Sequence, residues 1–195
     1  RRSGSRCARG VSYDRRMEPV HLLLISGSLQ RASSNRALLK VAARCAEDLA
    51  RVSWYERLGD VPHFNSDLPD DLESVVDWRA AVRAADGVLI ASPEYAHSLP
   101  GSLKNALDWL VGSGDLNEKP VGLMSAGLSG GERALDALAQ TLHAQGSNII
   151  GRLSVPGVRP KLDVDGDIAD LETIAQTCLL VDALVDAARA ARQSS

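Results

Sequence analysis

Val20-His21-Leu22-Leu23-Leu24-Ile25-Ser26 runs directly into Gly27-Ser28-Leu29-Gln30-Arg31-Ala32-Ser33-Ser34-Asn35, and then into Arg36-Ala37-Leu38-Leu39-Lys40-Val41-Ala42. Three textures follow one another here. A short continuous apolar run reads as a strand buried on both faces. A hydroxyl-rich loop comes next, and then apolar residues at helical spacing. A buried strand, a polar loop and an amphipathic helix make one βα unit.

The same alternation repeats along the chain. Apolar runs lie at Gly87–Ser92, Pro120–Ala126 and Asn148–Val155, with a weaker one at Arg51–Glu56. Helical patterns fill Ser34–Ala50, Leu72–Ala85, Gly101–Leu110, Gly130–Gln145 and roughly Ile168–Arg192. Parallel strands need crossover connections, and helices supply them. Five such units in series predict an α/β fold: a three-layer sandwich around a five-stranded parallel sheet, in the flavodoxin-like order 2-1-3-4-5. Residues 17–195 read as one domain. Residues 1–16, with six arginines, one aspartate and no apolar periodicity, read as a disordered leader, an expression remnant or a start codon placed too early.

Composition narrows the function classes. The chain has 195 residues, enough for one core of this kind, and a net charge of −3 gives no reason to expect nucleic acid as the main partner. No apolar run reaches the roughly 18–20 residues of a membrane span, so a soluble protein is expected, and the cysteines point to a cytoplasmic one. Cys7, Cys45 and Cys178 form no metal-ligand or C-x-x-C spacing, so no metal is expected; their odd number suggests reduced thiols, with Cys45 and Cys178 packed among apolar helix positions.

In an open parallel sheet, ligands bind at the carboxyl ends of the strands near the switch point. The loops after strands one, three and four are therefore the candidates. The first presents helix-start amides with Ser28, Ser33 and Asn35, a setting for a terminal monophosphate, and Arg31 adds charge. One of Ser33 and Ser34 also suits the helix cap. Neither a P-loop nor a dinucleotide fingerprint is present. The third loop, Ser92-Pro93-Glu94-Tyr95-Ala96-His97-Ser98-Leu99-Pro100, is framed by two prolines and holds an aromatic that suits a planar ring. His97 reads as a solvated or hydrogen-bonded loop side chain rather than an acid or base. Asn105 and Asp108 read as ties to a neighbouring loop or subunit, and Trp109 as core or interface. The fourth loop, Ser125-Ala126-Gly127-Leu128-Ser129-Gly130-Gly131, permits close backbone approach to a flat ligand.

These loops resemble the NADPH-dependent FMN reductase family. Gly27-Ser28-Leu29, Ser33 and Asn35 match its first pattern, G-S-L-R-x-x-S-x-N. Ser92 through Tyr95, Ser98, Pro100, Gly101, Leu103 through Asn105 and Leu107 through Trp109 match the second, S-P-E-Y-N-x-S-x-P-G-x-L-K-N-x-L-D-W. The resemblance implies that Ser28, Ser33 and Asn35 hold the FMN phosphate, that Pro93, Glu94 and Tyr95 line the isoalloxazine, and that Ser125 and Gly127 lie on its other side. Gln30 stands where the family usually has arginine, and Ala96 where asparagine is common. The resemblance further implies NADPH or NADH as co-substrate, hydride transfer through the flavin N5, and a quinone, azo compound, metal oxyanion or free flavin as small-molecule acceptor. It also implies a homodimer or homotetramer, with the Trp109 region and the 72–85 helix as candidate contacts. The rival functions are a flavodoxin-type electron carrier and a flavin-free regulatory member of the fold.

Overall fold

A computed structural model describes residues 18–194. The expectations for residues 1–16, Met17 and Cys7 lie outside them.

The elements follow in the expected alternation. They are β1 (Val20–Ser26), α1 (Ser34–Cys45), β2 (Ala50–Tyr55), α2 (Glu73–Ala84), β3 (Gly87–Ala91), α3 (Gly101–Asp108), β4 (Pro120–Gly127), β5 (Ser129–Gly130), α4 (Glu132–His143), β6 (Asn148–Pro156) and α5 (Leu171–Ser194). The sheet order is β2-β1-β3-β4-β6-β5. Its first five members are all parallel and reproduce the flavodoxin-like order. The sixth, β5, was not expected. It is a two-residue return that pairs antiparallel with the end of β6, Ser129 opposite Pro156 and Gly130 opposite Val155.

Side chains alternate between the faces of a strand, and here both faces are covered. Leu22 and Leu24 of β1 join a core with α1 and α5, while Leu23 and Ile25 join another with α2, α3 and α4. Every residue of β1 and of β3 is buried. That is why these strands read as unbroken apolar runs. α5 lies close on the sheet: a Cβ on Gly151 would stand 2.8 Å from Leu180.

The boundaries differ where the chain lacks punctuation. α1 ends at Cys45, not at residue 50, because a turn through Glu47 and Leu49 feeds β2, with the Ala50 amide on Ala46 O at 2.9 Å. No Gly or Pro marks that turn. The fourth helix begins at Glu132 because Gly130 (φ 83°) and Gly131 (φ 73°) hold left-handed backbone that a helix excludes. The last helix begins at Leu171, since Ile168 bridges back to Leu162 and Asp170 accepts from the Thr173 amide at 3.0 Å.

The cysteine expectation is overturned. Cys45 at the end of α1 and Cys178 on α5 form a disulfide with S–S 2.02 Å. The two helices pack side by side on one face of the sheet, which brings together thiols separated by 133 residues.

Candidate functional site

The carboxyl ends of β1, β3, β4 and β6 open onto one cleft of about 770 Å³, within the size range of small-molecule and cofactor sites. Ser28, Gln30, Ser33, Asn35, Pro93, Glu94, Tyr95, Ser125 and Gly127 all line it. The three loops singled out in the sequence therefore converge.

At one end, α1 starts in the cleft. Ser33 is its N-cap, with extended backbone and its hydroxyl accepting from the Asn35 amide at 3.3 Å. The next hydroxyl, Ser34 Oγ, donates to Ala126 O at 3.1 Å. Asn35 is buried and bonds in both directions to one residue of β4: Nδ2 donates to Ala126 O at 3.0 Å, and Oδ1 accepts from the Ala126 amide at 2.9 Å. Its side chain thus ties helix to sheet, and it reaches a ligand only through the helix start it fixes. First-turn amides of a helix have no carbonyl four residues back and carry the positive end of its dipole, so this end suits an anion. Ser28 Oγ accepts from the Gln30 amide at 3.3 Å and shapes the loop that leads here.

At the other end stand the β3 and β4 loops. Tyr95 and Ser98 exchange two backbone bonds of 3.0 Å, a tight hairpin whose middle residues Ala96 and His97 both have positive φ (49° and 63°). Tyr95 is left 54% exposed at the cleft. Glu94 is fully engaged: one oxygen pairs with His97 Nδ1 at 3.1 Å and the other accepts from the Arg133 amide at 3.2 Å. The His97 hydrogen bond first, and the α4 amides after it, hold the Glu94 carboxyl below the usual range. His97 is exposed and hydrogen-bonded, as its loop position suggests.

Ser125 closes the floor. Its Oγ is buried, yet no group among the described residues bonds it. Orphaned buried hydroxyls are uncommon, and this one belongs to a cleft-lining residue. Gly131 lies over it: any Cβ there would collide with Ser125 Oγ. An unmet hydroxyl beneath glycine backbone suits the polar edge of a flat ring, while the α1 start suits a phosphate. The residues present fit FMN.

Two predicted site residues fall outside the cleft. Arg31 lines a separate hollow of about 510 Å³ with Arg36, Tyr55 and Glu56, on the β2 side of the loop. Ala96 sits at the hairpin tip, where the backbone turns back. The Lys104–Trp109 stretch also does other work. Asn105 accepts from the Phe64 amide at 2.7 Å and donates to Val61 O and Pro62 O at 3.2 and 2.9 Å. Trp109 Nε1 donates to Pro62 O at 2.8 Å from a buried ring. These residues anchor the 61–64 loop, and Lys104 pairs with Asp108 along α3 at 2.6 Å.

The sequence reading missed a fourth wall, residues 157–162, including Arg159. α5 packs beside α1, so the chain leaving β6 must pass the start of α1 to reach it. The Pro156-Gly157 pair was the available signal. Among the described residues, Glu94 and Arg159 are the charged ones lining the cleft. Among the described residues no three His, Cys, Asp or Glu side chains cluster to hold a metal, and no helix is long and apolar enough to cross a membrane.

A parallel doubly wound sheet with this cleft at its switch point defines a flavodoxin-like flavoenzyme. The family model for NADPH-dependent FMN reductase matches residues 20–158, and the chain belongs to that family. It is 37% identical over 166 residues to a probable NADPH:quinone oxidoreductase 2 of Oryza sativa, covering 78% of this chain and 81% of that protein. It is 32% identical over 167 residues to an NADH-dependent flavin reductase subunit 2 of Lactobacillus johnsonii, covering 80% and 90%. Among solved structures, the flavoenzyme NAD(P)H:(acceptor) oxidoreductase FerB of Paracoccus denitrificans superposes with a TM-score of 0.77 at 30% identity, covering 87% of this chain and 97% of FerB.

Proposed function

We propose that this chain binds FMN in the cleft and reduces a small-molecule acceptor, a quinone, azo compound, metal oxyanion or free flavin, at the expense of NADPH or NADH. The observation that carries the reading is the buried, unpartnered hydroxyl of cleft-lining Ser125 in a cleft that also holds a helix start. When bound, FMN supplies the hydride chemistry.

The protein's part is to hold and orient. Ser33 and the α1 amides receive the phosphate, with Ser34 tied to β4 and Ser28 setting the loop. Pro93, Glu94 and Tyr95 form one wall for the ring, with Ser125 and Gly127 opposite. Glu94 stays ionised through the neutral range and both its oxygens are engaged, so it positions the Gly131–Arg133 turn instead of moving protons. The exposed Tyr95 offers an aromatic face to the second substrate.

The protein is further proposed to assemble as a homodimer or homotetramer. A cytoplasmic setting goes with a nicotinamide co-substrate, whereas the Cys45–Cys178 bridge argues against a strongly reducing one. Counting free thiols in protein isolated under alkylating conditions decides between them.

The central test is the visible spectrum of the purified chain, followed by anaerobic addition of NADPH. Flavin bands that bleach are expected. Bands that persist with both NADPH and NADH would mean an electron carrier, and no flavin after incubation with FMN would refute the assignment.

A further inference from the structure

A flavin phosphate brings between one and two negative charges into the cleft. Hydroxyls and a helix dipole, worth about half a charge, balance only part of that. A cation in the cleft would complete the balance, and the structure narrows the choice.

The cations around the start of α1 are mostly committed elsewhere. Arg36 is held by both oxygens of Glu56 and lies over the Trp54 ring. Lys40 pairs with Asp167 at 2.7 Å. Lys161 pairs with Asp170 at 3.0 Å and reaches Thr173 Oγ1 at 3.1 Å. Arg31 lines the neighbouring hollow. Arg159 remains: it lines the same cleft as Ser33 and Ser34, and its guanidinium has no hydrogen-bond or ion-pair partner among the described residues.

Its backbone, by contrast, is fixed. The preceding Val158 is buried and its amide meets Gly127 O at 3.4 Å, while the Gly157 amide donates to Leu128 O at 3.1 Å. Arg159 opens a short 3-10 turn with Pro160 next, and the Ala169 amide closes onto Lys161 O at 2.9 Å. A rigid stem with an uncommitted planar fork is suited to bidentate phosphate binding.

We propose that Arg159, from the loop after the last strand, is the counter-charge for the FMN phosphate, in the role that Gln30 cannot fill. The proposal rests on the FMN assignment above and adds a determinant of which flavin the cleft accepts. FMN is favoured over riboflavin because a phosphate meets Arg159, and the Glu94–Tyr95 end does not contribute to that choice.

The test is titration of flavin-stripped full-length protein with FMN and with riboflavin, followed by flavin fluorescence at two salt concentrations. Arg159→Ala is expected to weaken FMN about tenfold or more, flatten its salt dependence, and change riboflavin less than about twofold. Arg159→Lys should recover part of the loss, and Arg31→Ala should bind both flavins as the parent does. An unchanged FMN-to-riboflavin ratio in Arg159→Ala would overturn the proposal. So would a collapse of that ratio in Arg31→Ala, or a fall in NADPH turnover relative to NADH turnover in Arg159→Ala with FMN binding intact. A parent chain that binds neither flavin refutes the cofactor assignment itself, a result distinct from all of these.

Discussion

At the scale of single residues, the site shows its purpose through what it leaves unmet. Ser125→Ala removes a buried hydroxyl that bonds nothing among the described residues. The expected result is a chain as stable or more stable by about 1 kcal/mol, with FMN bound some five- to tenfold more weakly. Paired melting curves and flavin titrations read both effects, and a hydroxyl with only a structural role would not separate them. Ala96 reports the opposite case. Its φ of 49° costs an alanine about 1 kcal/mol that asparagine or glycine largely avoids. Ala96→Asn should therefore raise stability by about 0.5–1 kcal/mol and leave FMN affinity unchanged. A gain in affinity would mean instead that a polar contact to the flavin had been restored. In the sequence this position stood out as a departure from pattern, but only the backbone angle supplies the reason. Ser28, Ser33, Tyr95 and Ser125 were legible because loop residue types at strand ends already indicate chemistry. The commitment of Asn35 to Ala126 was not, because it depends on a partner some ninety residues away.

At the scale of elements, helix and strand identities were legible because both faces of the sheet are buried and each crossover helix is amphipathic. Ends were legible only where chemistry marks them. Asp170 is such a mark: its hydrogen bonds with Thr173 and its pairing with Lys161 hold its carboxyl down to about 2. A lowered carboxylate stabilises the fold above its ordinary range and loses that contribution as pH falls toward its folded value. The stability advantage of the parent over Asp170→Asn should thus be full above about pH 4 and shrink between about pH 4 and 2, measured by urea denaturation across that range. Asn105 tests a second element-level claim. Asn105→Ala removes three of the hydrogen bonds that hold the 61–64 segment, leaving that of Trp109 Nε1 to Pro62 O, and should cost about 2 kcal/mol. Because Asn105 does not line the cleft, FMN affinity should hold, so a large loss of affinity would place that segment in the site.

At the scale of the molecule, topology decides what local reading cannot. The cleft has a fourth wall because α5 lies beside α1, and the same adjacency pairs Cys45 with Cys178. Neither fact has a local signature. Cross-links that close long loops restrict the unfolded chain most, so reduction or Cys178→Ser should lower stability by about 2–4 kcal/mol. A denaturation midpoint that does not move on adding reductant would show the two thiols to be unlinked in solution.

The two-residue β5 pairs only with the last residues of β6. Along Asn148–Ser154, β6 has a neighbouring strand on one side alone among the described residues, whereas β1 and β3 have neighbours on both. The sheet therefore has a loose outer margin and a tight middle. In hydrogen exchange the outward-facing amides of β6 should trade deuterium early, through local fraying. Those of β1 and β3 should wait for global unfolding, which makes the strands beneath the helix-start end of the cleft the slowest-opening part of the protein.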